Sequence, residues 1–243
     1  MMCTDRVAIV TGAAGRGMGR SIALTLAREG AIVVVNYRKS GESAARIVQH
    51  VNTHGGQAIA LQADVTQDTQ CKALVEGTLE RFHRVDICVI GPGGGWHAEA
   101  IERLDSTGAL DDANRELAPV YHLMPLVLPG MYEREWGRII GISLHPSKLP
   151  PAYAYSAAKA ARTHAMLLAQ ECAWSHGVTV NVIAPGPVEH VASLEDAISL
   201  CEHGAKWHER TNVTPQDIAE GVATLCSESG RFITGCILPY LFR

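Results

Sequence analysis

Tyr155 and Lys159 stand four residues apart in the run Tyr155-Ser156-Ala157-Ala158-Lys159, and in a helix that spacing places both on one face, a single turn apart. A phenol with a pKa of about 10 exchanges protons poorly at neutral pH, but a neighbouring ammonium stabilises the phenolate by about 1.4 kcal/mol for each pKa unit gained. The pair therefore reads as an acid–base couple. Near the N-terminus, Thr11-Gly12-Ala13-Ala14-Gly15-Arg16-Gly17-Met18-Gly19 follows the apolar run Val7–Val10 and precedes a helical pattern. Glycines between a strand and a helix allow a tight turn and close approach of a pyrophosphate, which the helix N-terminus then holds. Gly12, Arg16, Gly17, Met18 and Gly19 are thus candidate dinucleotide contacts. Where an acidic residue would bind the ribose hydroxyls of NAD, the chain carries Asn36-Tyr37-Arg38-Lys39. Asn36 and Arg38 then face the adenosine end, and Arg38 with Arg16 suits a 2′-phosphate held by guanidinium, so NADP(H) is expected over NAD(H).

These groups need elements to position them. Buried strands are predicted at Val7–Val10, Ile32–Val35, Ala58–Leu61, Ile87–Ile90, Arg138–Ile142 and Val178–Val182,. Helices are predicted at Met18–Arg28, Ser43–Asn52, Thr69–Phe82, Leu110–Glu133, Tyr155–Trp174 and Pro215–Cys226, the last opened by Thr214 as N-cap,. Pro119 and Pro125 should kink the long helix or make it start late. Alternation of this kind gives a doubly wound α/β domain, a parallel sheet with helices on both faces and its ligand at the carboxyl ends of the strands. With no repeat or linker in 243 residues, one domain over 1–243 is expected.

Composition supports a globular chain: 47% apolar and 19% charged residues exclude disorder, and a net charge of −4 argues against a nucleic-acid partner,. Seven scattered cysteines without a C-x-x-C pair read as reduced thiols,. No signal peptide or membrane-length apolar run stands out, and a cytoplasmic protein is expected. His190, His203 and His208 with Cys201 follow no metal-ligand spacing, so no metal is expected. The amphipathic stretch Ser193–Arg210 suggests a substrate lid over 187–210.

Taken together, the Thr11–Gly19 turn, Asp64-Val65, Tyr155–Lys159, the run Asn181-Val182-Ile183-Ala184-Pro185-Gly186 and Phe232-Ile233-Thr234-Gly235 resemble the short-chain dehydrogenase/reductase family over nearly the whole chain, most of all its 3-oxoacyl-acyl-carrier-protein reductase branch. The resemblance implies a Rossmann-type sheet and NADP(H), with Tyr155 as proton donor and Lys159 on the nicotinamide ribose. It further implies Asp64 and Val65 near adenine, Pro185, Gly186 and Val188 near the carboxamide, and a homotetramer or homodimer built on the two long helices. Departures are visible too. The glycine turn is one residue longer between Gly12 and Gly17, and the family's Asn-Asn-Ala-Gly is replaced by Ile90-Gly91-Pro92-Gly93, which loses side-chain ties and leaves the Gly91 backbone open beside the cofactor. Counting back from Leu128-Pro129 puts Glu116 where the family has its active-site Asn. Ser143, twelve before Tyr155, is the choice for the active-site serine, with Ser147 or His145 as stand-ins.

The expected activity is NADPH-dependent reduction of a carbonyl, or the reverse alcohol oxidation, on a mid-sized hydrophobic small molecule, a ketone or imine. Trp96, His145, Tyr153, His190 and Trp207 would wall the pocket. The alternative is an NADP(H)-binding member with an altered site, acting as a non-redox enzyme, a subunit or a sensor.

Overall fold

The computed structural model describes residues 1–91, 95, 97–145 and 152–241. Seven strands form one parallel sheet: β1 (Val7–Val10), β2 (Ile32–Tyr37), β3 (Gln57–Gln62), β4 (Ile87–Ile90), β5 (Gly137–Ile142), β6 (Val178–Pro185) and β7 (Ile237–Tyr240), in the order β3-β2-β1-β4-β5-β6-β7. The helices are α1 (Met18–Arg28), α2 (Gly41–Thr53), α3 (Asp68–Phe82), α4 (Ser106–Glu133), α5 (Tyr153–Trp174), α6 (Leu194–His203) and α7 (Pro215–Cys226). Because side chains alternate across a strand, Ala8, Val10, Val33 and Val35 face α1, α2, α6 and α7, while Ile9, Val34, Cys88 and Ile90 face α3, α4 and α5,. Strand order reverses between β1 and β4, which opens a crevice at their carboxyl ends,.

The strands and helices expected from sequence are all present, most of them a few residues longer. β7 is the addition. It is a short, half-exposed edge strand containing Pro239, and an edge position tolerates a proline that a central strand would not,. The Phe232–Gly235 motif leads into it: Asn181 donates to the Ile233 carbonyl and accepts from the Cys236 amide, and Gly235 takes φ +69°.

The long helix corrects an expectation. It begins at Ser106, not late, because Asp105 accepts the Thr107 and Gly108 amides as an N-cap, and it continues through Pro119, Pro125 and Pro129,. The carbonyls those prolines leave without an amide partner belong to Arg115, Tyr121 and Pro125, all exposed residues,. No helix among the described residues is long and apolar enough to cross a membrane.

Candidate active site

The glycine turn is fastened to three strands by neutral groups. The Thr11 hydroxyl donates to the Val89 carbonyl at 2.8 Å and accepts the Gly91 amide at 2.9 Å, tying the ends of β1 and β4. Gly12 sits at φ +62°, a conformation that favours glycine, and a Cβ on Gly19 would lie 2.7 Å from the Gly12 carbonyl oxygen,. Gly17, by contrast, has open space where a Cβ would stand; it is the N-cap of α1, contributes no side-chain acceptor, and no acid follows in the first turn. The first amides of α1 are thus left to an anion.

Asn36 lines the crevice beside the glycine turn and also supports that turn. It is buried, its Oδ1 accepts the Gly12 amide at 3.2 Å, and its Nδ2 donates to the Leu61 and Ala63 carbonyls. Its side chain braces the turn against β3. A cavity of about 660 Å³ opens here, lined among others by Gly12, Gly15, Arg38, Lys39, Asp64 and Arg115. Arg38 lies 3.5 Å from Asp64. Burial pushes the Asp64 carboxyl up, but hydrogen bonds from Thr66 and the Arg38 charge outweigh it and hold the group below its ordinary value,. Open glycine backbone and an uncapped helix start fit a dinucleotide,. Arg16 stands exposed beside the same turn.

Across the crevice the chemistry is ionic. Lys159 Nζ lies 3.0 Å from Glu116 Oε2, and Arg162 donates to that same oxygen at 2.7 Å. Glu116 and Arg162 are fully buried and Lys159 nearly so. The Lys159 ammonium sits 5.6 Å from the Tyr155 ring centroid. The sequence predicts that this ammonium eases ionisation of the phenol; in the structure it is paired with Glu116, and Tyr155 is pushed up to about 12 by burial and by the Glu116 charge,. Lys159 is pushed down to about 8, by burial first and by Arg162 second, with Glu116 opposing.

Ser143 lies buried just past the end of β5. Its hydroxyl lies within hydrogen-bond reach of Thr163 Oγ1 and the Lys159 carbonyl, and Thr163 donates to that carbonyl at 2.9 Å. The His145 amide donates to the Pro185 carbonyl, fixing the end of β5 to the end of β6. Gly186 donates to the Tyr240 carbonyl, and Val188 bridges Val213. Tyr153 is 48% exposed at the start of α5, and His190 and Trp207 are exposed as well. Trp96 and Ser147 lie outside the described residues.

The segment expected to be a lid is anchored. Leu194, Ala197 and Cys201 of α6 join the core around α1 and α7; Arg20 donates to the Val191 carbonyl at 2.8 Å and Arg28 to the Cys201 carbonyl at 2.6 Å. The apolar face of α6 thus packs on α1 and α7. Two arrangements were not read from sequence. One is Arg162, whose signal was its position three residues after Lys159 on the same helix face. The other is His97, whose Nε2 lies 2.6 Å from the buried Asp112 carboxylate, one turn before Glu116. Among the described residues no three His, Cys, Asp or Glu side chains gather as a metal site.

The short chain dehydrogenase family model matches residues 6–198. An uncharacterized oxidoreductase of Methylorubrum extorquens is 34% identical, covering 96% of this chain and 95% of its own length. A 3-oxoacyl-[acyl-carrier-protein] reductase of Staphylococcus aureus is 32% identical, over 96% of each chain. The solved structure of a 7α-hydroxysteroid dehydrogenase in complex with NADH and 7-oxo glycochenodeoxycholic acid superposes with a TM-score of 0.83 at 27% identity, covering 98% of this chain and 93% of that one. The parallel crevice with Tyr155 and Lys159 on one side and a glycine cradle on the other thus belongs to a known class. This chain is a member of the short-chain dehydrogenase/reductase family, an NAD(P)-dependent oxidoreductase of alcohol and carbonyl groups.

Proposed function

We propose that this chain reduces the carbonyl of a mid-sized hydrophobic ketone or imine with NADPH, and oxidises the corresponding alcohol through the same residues. The observation that carries the cofactor choice is the rim of the cavity at the end of β2, which Arg38, Lys39 and Arg115 line and where the neutral Asn36 stands in place of an acid. When bound, the nicotinamide supplies the hydride. Tyr155, protonated at neutral pH, gives its proton to the substrate oxygen as charge develops there,. Lys159 holds the ribose and stands beneath the phenol, and Glu116 keeps its charge balanced. Asp64 and Val65 receive the adenine, with Gly91, Pro185, Gly186 and Val188 closing around the nicotinamide end. His145, Tyr153, His190 and Trp207 supply the substrate walls. The bile-acid ketone held by the 7α-hydroxysteroid dehydrogenase is of the proposed size and polarity, and the staphylococcal reductase named above acts on an oxoacyl group. The exposed Tyr121 of α4 and Leu168 of α5 suit a homo-oligomer built on those helices, and seven free thiols suit the cytoplasm,.

The test is loss of nicotinamide absorbance with NADPH and NADH in parallel against a panel of hydrophobic ketones and imines. Turnover with NADPH, at least tenfold better than with NADH, is expected. Equal use of both cofactors would remove the cofactor reading, and tight NADPH binding without turnover on any carbonyl would favour the non-redox alternative.

A further inference from the structure

Arg162 is a fully buried arginine in the middle of α5, on the face that carries Tyr155 and Lys159. Burying a guanidinium is costly unless its donors meet acceptors and its charge a counterion, so what it touches decides its role. One terminal nitrogen donates to Glu116 Oε2 at 2.7 Å and reaches the Gly91 carbonyl at 3.4 Å; the other donates to the Ile90 carbonyl at 2.7 Å. Ile90 and Gly91 are where β4 leaves the sheet, and the Gly91 amide is bound to the Thr11 hydroxyl at the head of the glycine turn. This exit lacks the side-chain ties that an Asn-Asn-Ala-Gly run would provide. A single guanidinium from α5 thus reaches both the carboxylate paired with Lys159 and the backbone beside the cofactor cradle.

We propose that Arg162 is a positioning residue for the active site: it holds Glu116 under Lys159 and at the same time clamps the exit of β4 against the glycine turn, so that the proton-handling side and the cofactor side are set by one group. The proposal rests on the reading of Tyr155 and Lys159 as the catalytic pair. Three charges share the buried space, two cations about one carboxylate, so the excess is positive and Lys159 is the member that can lose its proton. Its low value, about 8, agrees with that arrangement. Among the described residues, Tyr155 on α5 also acts on Arg162, and Asp112 on α4, backed by His97, acts on Tyr155; Ser143 just past β5 and Thr163 on α5 present neutral hydroxyls.

Arg162→Met leaves Glu116 and Lys159 as a balanced ion pair, which favours a folded variant, and Arg162→Lys restores the charge without the forked reach. Each is compared with the unaltered chain by fluorescence titration with NADPH and NADH across pH and by hydrogen exchange of the peptide containing Ile90 and Gly91. In Arg162→Met the exchange at Ile90–Gly91 should accelerate and the cofactor should bind about tenfold more weakly. The break in affinity against pH should move up by about half a unit or more, because the repelling cation beside Lys159 is gone. Arg162→Lys should restore the pH break but not the slow exchange. If Arg162→Met lowers the melting temperature alone and leaves affinity, pH break and exchange unchanged, Arg162 is a packing residue and the proposal fails. Should Arg162→Met not fold, Arg162→Lys decides through the exchange at Ile90–Gly91, and slow exchange there overturns the clamp. Equal affinity for NADH and NADPH in the unaltered chain, or turnover surviving Tyr155→Phe, would instead count against the proposed function, and the Arg162 outcomes are read from whichever cofactor binds.

Discussion

At the β1–β2 side of the crevice the protein holds itself together with neutral groups: the Thr11 hydroxyl, the Asn36 amide, and glycines whose missing side chains let backbone meet backbone. At the β4–β5 side the work falls to three buried charged groups, Glu116, Lys159 and Arg162, drawn from two helices and bonded to a strand end. A neutral cradle presents amides and small surfaces, and it suits a ligand that brings its own negative charge. An ionic cluster fixes protonation states, and it suits a step in which a proton must move. The contrast implies that damage to the two sides should look different: lost cofactor affinity or discrimination on one, lost turnover and shifted pH dependence on the other, with Arg162, which reaches both, showing a mixture.

The largest effect is expected from Tyr155→Phe, which removes the proton-bearing hydroxyl and keeps the ring. Turnover should fall by about 10²–10⁴-fold, the usual worth of general acid–base catalysis, while NADPH binding is nearly unchanged. Retention of most of kcat would mean that another donor serves, and His97 on Asp112 would be the next group to change.

Glu116→Gln comes next. It leaves Lys159 and Arg162 side by side without their counterion, and removal of one partner from a buried ion pair costs about 3–5 kcal/mol,. Thermal unfolding checks the loss. Glu116 also raises the Tyr155 phenol, so in Gln variants that remain folded the basic limb of alcohol oxidation should move to lower pH. Lys159 adds a signature of its own. Its folded value of about 8 lies below the ordinary 10.5, so between those limits the unfolded chain binds the extra proton and this group's contribution to stability rises with pH,. Lys159→Met should flatten that rise in melting temperature.

On the neutral side, Arg38→Asp should reverse the preference for NADPH. A charge-assisted phosphate contact is worth about 1.5–3 kcal/mol, or roughly 10- to 150-fold in affinity, and the new carboxylate would stand near Asp64 and repel the phosphate,. Dissociation constants for the two cofactors measure it directly.

The smallest effects separate scaffold from ligand surface within a single turn. Gly19→Ala forces a methyl onto the Gly12 carbonyl, where overpacking costs about 1–3 kcal/mol, so melting temperature should fall,. Gly17→Ala meets no protein atom and should leave stability nearly unchanged while weakening NADPH binding. Similar melting curves for both variants would show that the turn relaxes, and would blur the distinction between the two sides.

Much of the fold was legible because its determinants are local. Alternating β-branched runs, the capping Thr214 before Pro215, and the glycines between Val10 and Arg20 each act within a few residues, and α1 and α7 fall on their expected limits. The Tyr155–Lys159 spacing was legible for the same reason, since helix geometry alone puts the pair on one face. β7 was harder to see: it is short, half-exposed and holds a proline that only an edge position tolerates,. The Ser193–Arg210 pattern showed an apolar helical face but not the helices it packs on, which are α1 and α7.

What tertiary structure decided is where each polar group points and what neutralises it. Sequence placed Ser143, Asn36 and Glu116 near the site by their order along the chain. Packing brought the Ser143 hydroxyl within reach of α5, locked Asn36 between Gly12 and β3, and brought Glu116 and Arg162, 46 residues apart, to 2.7 Å. Hydrogen bonds and ion pairs depend on distance in space, which a linear pattern does not encode once the partners lie on different elements. The sequence by itself therefore determined the sheet, the cradle and the acid–base pair, and only the folded chain determined that a buried arginine completes the charge around that pair.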